Sequence, residues 1–345
     1  FFSPSMEWHG TVSVNPATGV EIGEYQYLSD EEAEEVTACA GEAFKSWRKS
    51  SLVTRASLLN ELAAVLRRRA EELAVMMAQE MGKPIKEGRG EMEKCAWVCE
   101  YYAQHLPQFL APEHVATSNQ KSFVTFQPLG VILIVMPWNF PFWQVFRQAA
   151  CGLSAGNTML LKHASNVMTC ANAIQSVIDE AGFPPGVFTN LPIAGRQCNR
   201  VLEHPQVRGV ALTGSTPVGK ELGAHAGRLL KRAVLELGGA DSYIILEDAD
   251  VEVAAAACKA GRTLNCGQSC IGAKRFIVTE AIYDKFVPRF VELMSQVTVG
   301  DPLDADTDMG PMVNTKSRAE VHQQVMDSVA SGATVLLGGH LLPGP

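Results

Sequence analysis

The sequence predicts an α/β fold in which helices cover both faces of a parallel β-sheet. From Gly130 onward, short apolar segments of strand length alternate with amphipathic segments of helical length, which is typical of such sheets. The chain has 345 residues, 47% of them hydrophobic, and this is enough to bury a sizeable core and to form two domains. No internal repeat or low-complexity segment interrupts the pattern.

Helices are predicted before the sheet begins. Apolar residues recur at helical spacing over residues 31–81, and Gly82 and Pro84 end the pattern. A second helical stretch follows over residues 87–108, and residues 121–127 alternate between polar and apolar as a strand does. We expect these amphipathic helices to pack against the larger body that the sheet forms.

Five strands are predicted for the sheet itself. They cover residues 131–136, 158–161, 187–191, 207–212 and 233–237. The clearest helix covers residues 167–181, and a further unit adds a helix at 251–264, a strand at 275–278 and a helix at 282–297. Because ligands bind at the carboxyl ends of the strands in parallel sheets, we expect the chemistry in the loops that follow these strands.

The composition excludes several classes of function. The net charge of -8 and the absence of clustered Lys and Arg exclude nucleic acid as a partner. No apolar run approaches the roughly 18 to 20 residues that a membrane span needs. Nine scattered cysteines do not form the pattern of a disulfide framework and fit a reducing compartment. Cys95 and Cys99 share a helix face without further ligands, so we expect core thiols and no metal.

Asn139 is a candidate oxyanion donor. It lies in the loop after the first strand, and Pro137 and Pro141 fix the backbone on either side of it. A side-chain amide held rigidly in this way can stabilise the negative charge that develops on a carbonyl oxygen. The alternative is a proline-rich turn in which Asn serves only the turn conformation.

The next loops hold a lysine and a glycine-rich segment. Lys162 ends the second strand, where the alternative is a solvent-facing side chain. The fourth strand runs into Gly214, and the segment up to Lys220 is close to a phosphate-binding P-loop. However, Glu221 stands where that motif needs a magnesium-binding hydroxyl, and the G-x-G-x-x-G dinucleotide fingerprint is absent. We therefore expect a phosphate site of another kind and neither an ATPase nor a GTPase.

Glu236 and Cys270 are the candidates for base and nucleophile. Glu236 ends the fifth strand beside two glycines, and burial would make its carboxylate a better proton acceptor. Cys270 follows a glycine turn and precedes Lys274 and Arg275, and basic neighbours favour the nucleophilic thiolate. Taken alone, Cys270 is also compatible with a buried structural cysteine.

Together these loops resemble the aldehyde dehydrogenase superfamily. The resemblance extends from Asn15 to Pro311, and the most specific match is the pair Glu-Leu-Gly-Gly at 236–239 and Gly-Gln-Ser-Cys at 267–270. Their Glu and Cys are 34 positions apart, which is the spacing that the family keeps. The string around Lys162 and the segment that follows Pro141 are most similar to succinate-semialdehyde dehydrogenases of the bacterial type.

The resemblance implies a reaction and a role for each candidate. Cys270 would attack an aldehyde, and the oxyanion of the resulting thiohemiacetal would be held by the Asn139 amide and the Cys270 N–H. After hydride transfer to nicotinamide, water activated by Glu236 would hydrolyse the thioester. Arg147, on the helix after the Asn139 loop, would bind the carboxylate of succinate semialdehyde, unless it is a surface arginine of an amphipathic helix.

The resemblance also implies an NADP or NAD site. Its cofactor-binding residues would be Trp138, Lys162, Ser165, Gly214, Ser215, Gly219 and Leu237. Enzymes of the family that prefer NAD commonly have Glu at position 165, where it binds the ribose and repels a 2′-phosphate. Because Ser165 lacks that charge and Lys162 supplies a cation, we expect NADP to be accepted.

The implied architecture has three parts. Residues 1–109 and 129–238 would form a Rossmann-type NAD(P)-binding domain, residues 110–128 an oligomerisation ribbon, and residues 239–345 a second α/β, catalytic domain that is C-terminally incomplete. Residue 1 is Phe and no closing element precedes Pro345, so we expect both termini to be cut. The full-length protein would be a homodimer or homotetramer in the cytoplasm, with the mitochondrial matrix as an alternative.

Two other functions stay open at the level of the sequence. A truncated or non-catalytic member of the family would have a binding or structural role. A cysteine hydrolase would use Cys270 and Glu236 without a cofactor, because thioester hydrolysis needs the same two groups.

Overall fold

The computed structural model describes residues 9–342 and arranges their strands in four sheets. The strands are β1 (Gly10–Val14), β2 (Glu21–Gln26), β3 (Glu113–His114), β4 (Phe123–Val124), β5 (Val131–Met136), β6 (Thr158–His163), β7 (Phe188–Asn190), β8 (Val207–Thr213), β9 (Arg232–Glu236), β10 (Ser242–Ile245) and β11 (Arg275–Val278). The α-helices are α1 (Asp30–Trp47), α2 (Leu52–Arg68), α3 (Ala70–Met81), α4 (Ile85–Phe109), α5 (Trp143–Ser154), α6 (Met168–Glu180), α7 (Cys198–Glu203), α8 (Thr216–Arg228), α9 (Val251–Thr263), α10 (Glu280–Ser295) and α11 (Thr315–Ala330).

The described chain forms two compact units. Unit 1 comprises Gly23–Leu73, Arg89–Leu237 and the described part of Phe1–Ser13. Unit 2 comprises Val14–Ile22, Ala74–Gly88 and the described part of Gly238–Pro345. Each unit has an apolar cluster of its own.

The sheet of unit 1 confirms the predicted α/β fold. Its five parallel strands lie in the order β7-β6-β5-β8-β9. Strands β6 and β7 follow β5 on one side, and the chain then returns to the other side of β5 to add β8 and β9. The strand order therefore reverses between β5 and β8, which is the place where ligands bind in such sheets. Parallel pairing also brings the carboxyl ends of all five strands to one edge, with Met136 opposite His163 and Thr213 opposite Glu236.

The central strands are buried because their sequences are apolar almost throughout. Strands β5, β6 and β8 have buried residues on both faces, as expected of a sheet covered on both sides by helices. Strand β9 lies at the edge of the sheet, and all five of its residues are exposed. Helices α1, α7 and α8 contribute to the apolar cluster that covers one face of these strands.

The N-terminal helical pattern forms three helices of the predicted type. Ser29 and Glu32 form a capping box at the start of α1, and Ser51 caps α2 through a hydrogen bond from the N–H of Thr54. By contrast, the prediction of a strand at residues 121–127 is confirmed only for Phe123–Val124 and is wrong for the rest, because only these two residues pair with β3.

Unit 2 is built around a smaller cluster. Strands β10 and β11 pair in parallel, and helices α9 and α10 pack together beside them around Phe286. The predicted helices and the strand Arg275–Val278 are confirmed here, whereas β10 and α11 were not predicted. Helix α11 has no buried residue, and Asn314 caps it through a bond from the N–H of Ser317.

Residues 9–342 contain neither a membrane-spanning helix nor a cluster of metal ligands. No helix in this range has the length and the apolar character needed to cross a membrane. Within the same range, no group of three or more His, Cys, Asp or Glu side chains is arranged to hold a metal ion. Cys95 and Cys99 are fully buried, which confirms that they are core thiols.

Candidate active site

Asn139 lies in the turn between β5 and α5, at the carboxyl edge of the sheet in unit 1. Its side chain is partly buried, and its Oδ1 atom accepts a hydrogen bond of 3.2 Å from the N–H of Phe140. This bond uses the carbonyl oxygen of the amide, and the NH2 group on the same carbon is the donor of the side chain. The side chain thus has a fixed orientation, as an oxyanion donor requires.

Glu91 anchors the segment that follows Asn139. Its carboxylate is almost fully buried, and its Oε1 atom accepts bonds from the N–H groups of Phe142 and Trp143, at 2.9 and 2.8 Å. These N–H groups belong to the start of α5, where a negative charge is favourable. Sequence reasoning missed Glu91, because nothing in its helical surroundings marks it as the cap of a helix 51 residues away.

His163 holds the same turn from the neighbouring strand. Its Nε2 atom donates to the carbonyl oxygen of Pro141 at 2.9 Å, and its Nδ1 atom accepts the N–H of Ala164 at 2.8 Å. Both nitrogens are satisfied only in the neutral ring. Burial, and less strongly the charge of Lys162, lowers the pKa of His163 to about 4.

The buried His163 predicts a loss of stability in weak acid. In the unfolded chain this group gains a proton near its ordinary pKa of 6.5, whereas the folded protein protonates it only near pH 4. The stability that neutral His163 contributes is therefore complete above pH 6.5 and is lost as the pH falls toward 4. We expect a slope of up to about 1.4 kcal/mol per pH unit in the free energy of unfolding.

The measurement is urea unfolding at several pH values between 4 and 7.5, for the wild type and for His163→Gln. The Gln variant retains a donor for Pro141 but does not titrate, so its stability should depend less on pH in this range. His114→Gln, at an exposed position in β3, serves as the control and should keep the wild-type slope. Equal slopes for all three proteins would show that His163 does not resist protonation.

The end of β6 supplies two further predicted residues. Lys162 is partly buried, and burial lowers its pKa. Ser165 is exposed in the following turn, and its carbonyl oxygen accepts a bond of 3.1 Å from the hydroxyl of Thr11. The end of β6 and the turn after it thus carry a lysine and a serine, without an acidic residue at position 165.

The glycine-rich segment leads into α8 as expected. The N–H of Gly214 donates to the carbonyl oxygen of Glu236 at 3.0 Å, which fixes the loop against β9. Ser215 is the N-cap residue of α8, and its side chain makes no capping bond. The N-terminus of α8 therefore presents backbone N–H groups and a hydroxyl at the carboxyl edge, a combination suited to a phosphate.

Gly219 lets Leu237 approach α8 closely. A Cβ atom at position 219 would lie 2.4 Å from Cδ2 of Leu237. Any larger residue at position 219 must displace Leu237, which directly follows β9. The structure thereby connects two of the predicted cofactor residues by direct packing.

Arg147 and Glu236 meet at the same edge. The Nη2 atom of Arg147 lies 3.7 Å from Oε2 of Glu236 and 3.4 Å from the hydroxyl of Thr213. The Arg147 side chain is 27% exposed, so it is partly shielded from solvent where it meets Glu236. The Glu236 side chain is 56% exposed in the edge strand, so the burial that would make it a better proton acceptor is not present.

Cys270 is carried by unit 2, in the loop between α9 and β11. The preceding loop has an unusual backbone, since Asn265 and Cys266 have φ angles of 54° and 57°, in the left-handed region. Two bonds hold it, from the N–H of Asn265 to Glu87 at 2.8 Å and from the N–H of Gly310 to the Cys266 sulfur at 3.2 Å. Cys270 itself is partly exposed.

The basic neighbours of Cys270 form hydrogen bonds to backbone carbonyl groups. The Lys274 amine donates to the carbonyl oxygens of Ser269 and Cys270, and Arg275 donates to the carbonyl oxygen of Ala240. Both side chains thus bind the backbone. These hydrogen bonds therefore lend no support to the expectation that the two side chains favour the thiolate of Cys270.

Unit 1 brings most of the predicted residues to one edge. They are Trp138, Asn139, Arg147, Lys162, Ser165, Gly214, Ser215, Gly219, Glu236 and Leu237. Unit 2 presents the cysteine on a loop of its own. Taken by itself, unit 1 presents an amide, a carboxylate and the N-terminus of α8, and unit 2 presents a thiol.

Known proteins are similar to this chain in sequence and in fold. Residues 4–345 match the sequence model of the aldehyde dehydrogenase family. The chain is 42% identical to an Escherichia coli K12 protein named succinate semialdehyde dehydrogenase [NAD(P)+], over 96% of this chain and 72% of that protein. It is 44% identical to succinate-semialdehyde dehydrogenase [NADP(+)] 1 of Mycobacterium tuberculosis H37Rv, over 96% and 74%.

A solved structure gives the same result. The succinic semialdehyde dehydrogenase of Streptococcus pyogenes, in complex with NADP+, matches with a TM-score of 0.94 and 34% sequence identity. The match covers 97% of this chain and 74% of that one.

Proposed function

Because this chain belongs to the aldehyde dehydrogenase family, we propose that it oxidises succinate semialdehyde to succinate with NADP or NAD. As a member of this family it is an oxidoreductase. The observation that carries the choice of substrate is the position of Arg147, whose guanidinium faces the open edge beside Glu236. A carboxylate already lies 3.7 Å from this guanidinium, so a substrate carboxylate can be bound in the same way. Relatives named for this substrate agree with the choice.

Cys270 would act as the nucleophile. Its sulfur forms a bond to the aldehyde carbon, and the electron pair of the carbonyl bond moves onto oxygen. The NH2 group of Asn139 and the N–H of Cys270 would stabilise this oxyanion. The turn between β5 and α5 is suited to this task, because Glu91 and His163 hold it from two sides.

Glu236 would act as the general base for hydrolysis. Its carboxylate takes a proton from water, and the hydroxide formed attacks the thioester carbon and releases the acid from Cys270. The exposure of Glu236 on β9 gives its carboxylate access to water. Arg147, at 3.7 Å, would keep the carboxylate near the edge of the sheet.

The residues of unit 1 fit a dinucleotide. The N-terminus of α8 and the uncapped hydroxyl of Ser215 suit the phosphates, and Lys162 suits the adenine ribose. Trp138, Gly214 and Leu237 would complete the site. When bound there, NADP or NAD supplies the acceptor for the hydride that leaves the thiohemiacetal.

Cofactor choice is predicted to depend on position 165. Ser165→Glu is expected to raise the KM for NADP by about 10-fold or more, because a carboxylate there would repel the 2′-phosphate. The KM for NAD should change by less than about 3-fold. Steady-state kinetics with both cofactors measure the effect, and Ser165→Gln, of nearly the same size but uncharged, is the control. If the Glu and Gln variants show the same ratio of the KM for NADP to the KM for NAD, the 2′-phosphate is not bound near this position.

The substrate proposal is tested with two aldehydes of similar size. Butanal has the chain length of succinate semialdehyde but no carboxylate, so Arg147→Met should raise the KM for succinate semialdehyde by about 10- to 100-fold and leave that for butanal nearly unchanged. Any effect of the substitution on Glu236 would lower kcat for both aldehydes alike. Equal increases in both KM values would contradict carboxylate binding by Arg147.

We further propose the assembly and the compartment. Residues 1–109 and 129–238 would bind the cofactor, residues 239–345 would supply the catalytic cysteine, and the ribbon at 110–128 would join copies into a homodimer or homotetramer. Exposed apolar side chains in and beside the ribbon support this role: Val115, Phe123, Val124 and Phe126. None of the nine cysteines forms a disulfide, which supports a reducing compartment such as the cytoplasm.

A further inference from the structure

The carbonyl groups around Cys270 are held by basic side chains. Nζ of Lys274 donates to the carbonyl oxygen of Ser269 at 3.0 Å and to that of Cys270 at 2.8 Å. Two residues before Ser269, the carbonyl oxygen of Gly267 accepts a hydrogen bond of 3.3 Å from Nη1 of Arg262. Three peptide groups of this loop, at Gly267, Ser269 and Cys270, are therefore held through their oxygens.

Fixing the Ser269 carbonyl also fixes the N–H of Cys270. The two groups belong to the same planar trans peptide, in which the C=O and N–H bonds point in opposite directions. The N–H of Cys270 consequently points away from the Lys274 amine. Within residues 9–342 this N–H donates to no acceptor, while the N–H of Gly272, two residues on, donates back to Ser269.

The same contact strengthens the N–H as a donor. A cation on the carbonyl oxygen draws electron density through the conjugated peptide and makes its N–H more acidic, as in any polarised chain of hydrogen bonds. When the sulfur of Cys270 attacks a carbonyl carbon, the new oxyanion lies two bonds from that sulfur. The nucleophile's own N–H is then the nearest backbone donor to the developing charge.

We propose that Lys274 is a positioning residue that orients and polarises the Cys270 N–H as an oxyanion donor. The proposal rests on the proposed function insofar as Cys270 is the nucleophile. It replaces the expectation that Lys274 acts on the thiol, since the amine is bound to two carbonyl oxygens. Lys274 does not touch the substrate and transfers no proton.

The test uses acylation of Cys270 by p-nitrophenyl acetate, which needs no cofactor. The sulfur attacks the ester carbon, an oxyanion forms, and p-nitrophenolate leaves with the electron pair of the broken C–O bond. Its release would be followed for the wild type, Lys274→Met and Lys274→Arg, together with the pH dependence of Cys270 alkylation by iodoacetamide. Alkylation proceeds by displacement at an sp3 carbon without an oxyanion, so it reports on the thiolate alone.

We expect Lys274→Met to slow acylation by about 10- to 100-fold, which is less than the loss of a whole oxyanion donor. The alkylation profile should keep its midpoint, and Lys274→Arg should restore most of the rate. Lys285→Met, on the exposed face of α10, is the control for loss of one positive charge and should acylate like the wild type.

Two results would overturn the proposal. Acylation by Lys274→Met within 2-fold of the wild type would show that the contact has no effect on the donor. A shift of the alkylation midpoint that accounts for the slower acylation would assign Lys274 to the thiolate. Acylation by the ester is independent of NADP and NAD. The proposal for Lys274 can therefore fail while aldehyde oxidation is confirmed, and it can hold while aldehyde oxidation is refuted.

Discussion

Replacing Cys270 with serine is expected to lower NAD(P)-dependent oxidation of succinate semialdehyde by about 10⁴-fold or more. Sulfur attacks as the thiolate, whereas a serine hydroxyl is far less acidic than a thiol and stays protonated. The Lys274 and Arg275 side chains cannot compensate, because they bind carbonyl oxygens. The absorbance of the reduced cofactor measures the loss directly.

A matched control is available elsewhere in the chain. Cys39 is exposed on α1 and belongs to unit 1, so Cys39→Ser should retain the full rate. Circular dichroism of both variants would exclude unfolding as the cause of a loss. A Cys270→Ser protein that turns over within 10-fold of the wild type would remove Cys270 from the mechanism.

Glu236→Gln should give a different kinetic pattern. Steady-state turnover is expected to fall by about 10²- to 10⁴-fold, because the amide cannot take the proton from water. The first turnover should survive, since attack by Cys270 and hydride transfer precede hydrolysis. Rapid mixing with aldehyde and NADP should therefore show a burst of one reduced cofactor per cysteine, followed by almost no further reaction.

The burst distinguishes two possible roles of the Glu236 carboxylate, as the base for hydrolysis and as an activator of the thiol. Loss of both the burst and the turnover would place Glu236 before hydride transfer, as an activator of the thiol. Unchanged turnover would show that another group activates water. Glu247→Gln, at an exposed position in unit 2, is the control for loss of one negative charge and should behave as the wild type.

The sheet could be predicted from the sequence because its strands are nearly pure apolar runs. Strands β5, β6 and β8 are buried on both faces, so burial and sequence pattern coincide. Strand β10 is only four residues long and partly exposed. It forms by pairing with Arg275–Val278, and no local sequence pattern reveals this pairing. The two-residue pairing of β4 shows the opposite error, an alternating segment that mostly stays unpaired.

The candidate residues could be found from their loops, but their surroundings could not. Glu91 and His163 reach the turn of Asn139 from positions far away in the sequence, so only the fold reveals them. The contact of Arg147 with Glu236 likewise depends on the pairing of β8 with β9. Exposure of Glu236 follows from the edge position of β9, which the strand sequence alone does not disclose.

Lys274 shows why sequence proximity is a poor guide to contact. Four positions separate it from Cys270, which suggested an effect on the thiol. The direction of its amine depends on the loop backbone, which passes through the left-handed region at Asn265 and Cys266. Neither residue is glycine, so the usual signal for that conformation is missing.

Mass mapping of the acylated enzyme tests the central claim most directly. Glu236→Gln would be mixed with succinate semialdehyde and NADP, quenched in acid after the burst, digested, and its peptides weighed. The account predicts one succinyl group per chain, on the peptide that contains Cys270, and none when NADP is omitted. A burst of reduced cofactor without acylated Cys270, or with the acyl group on another residue, would contradict it.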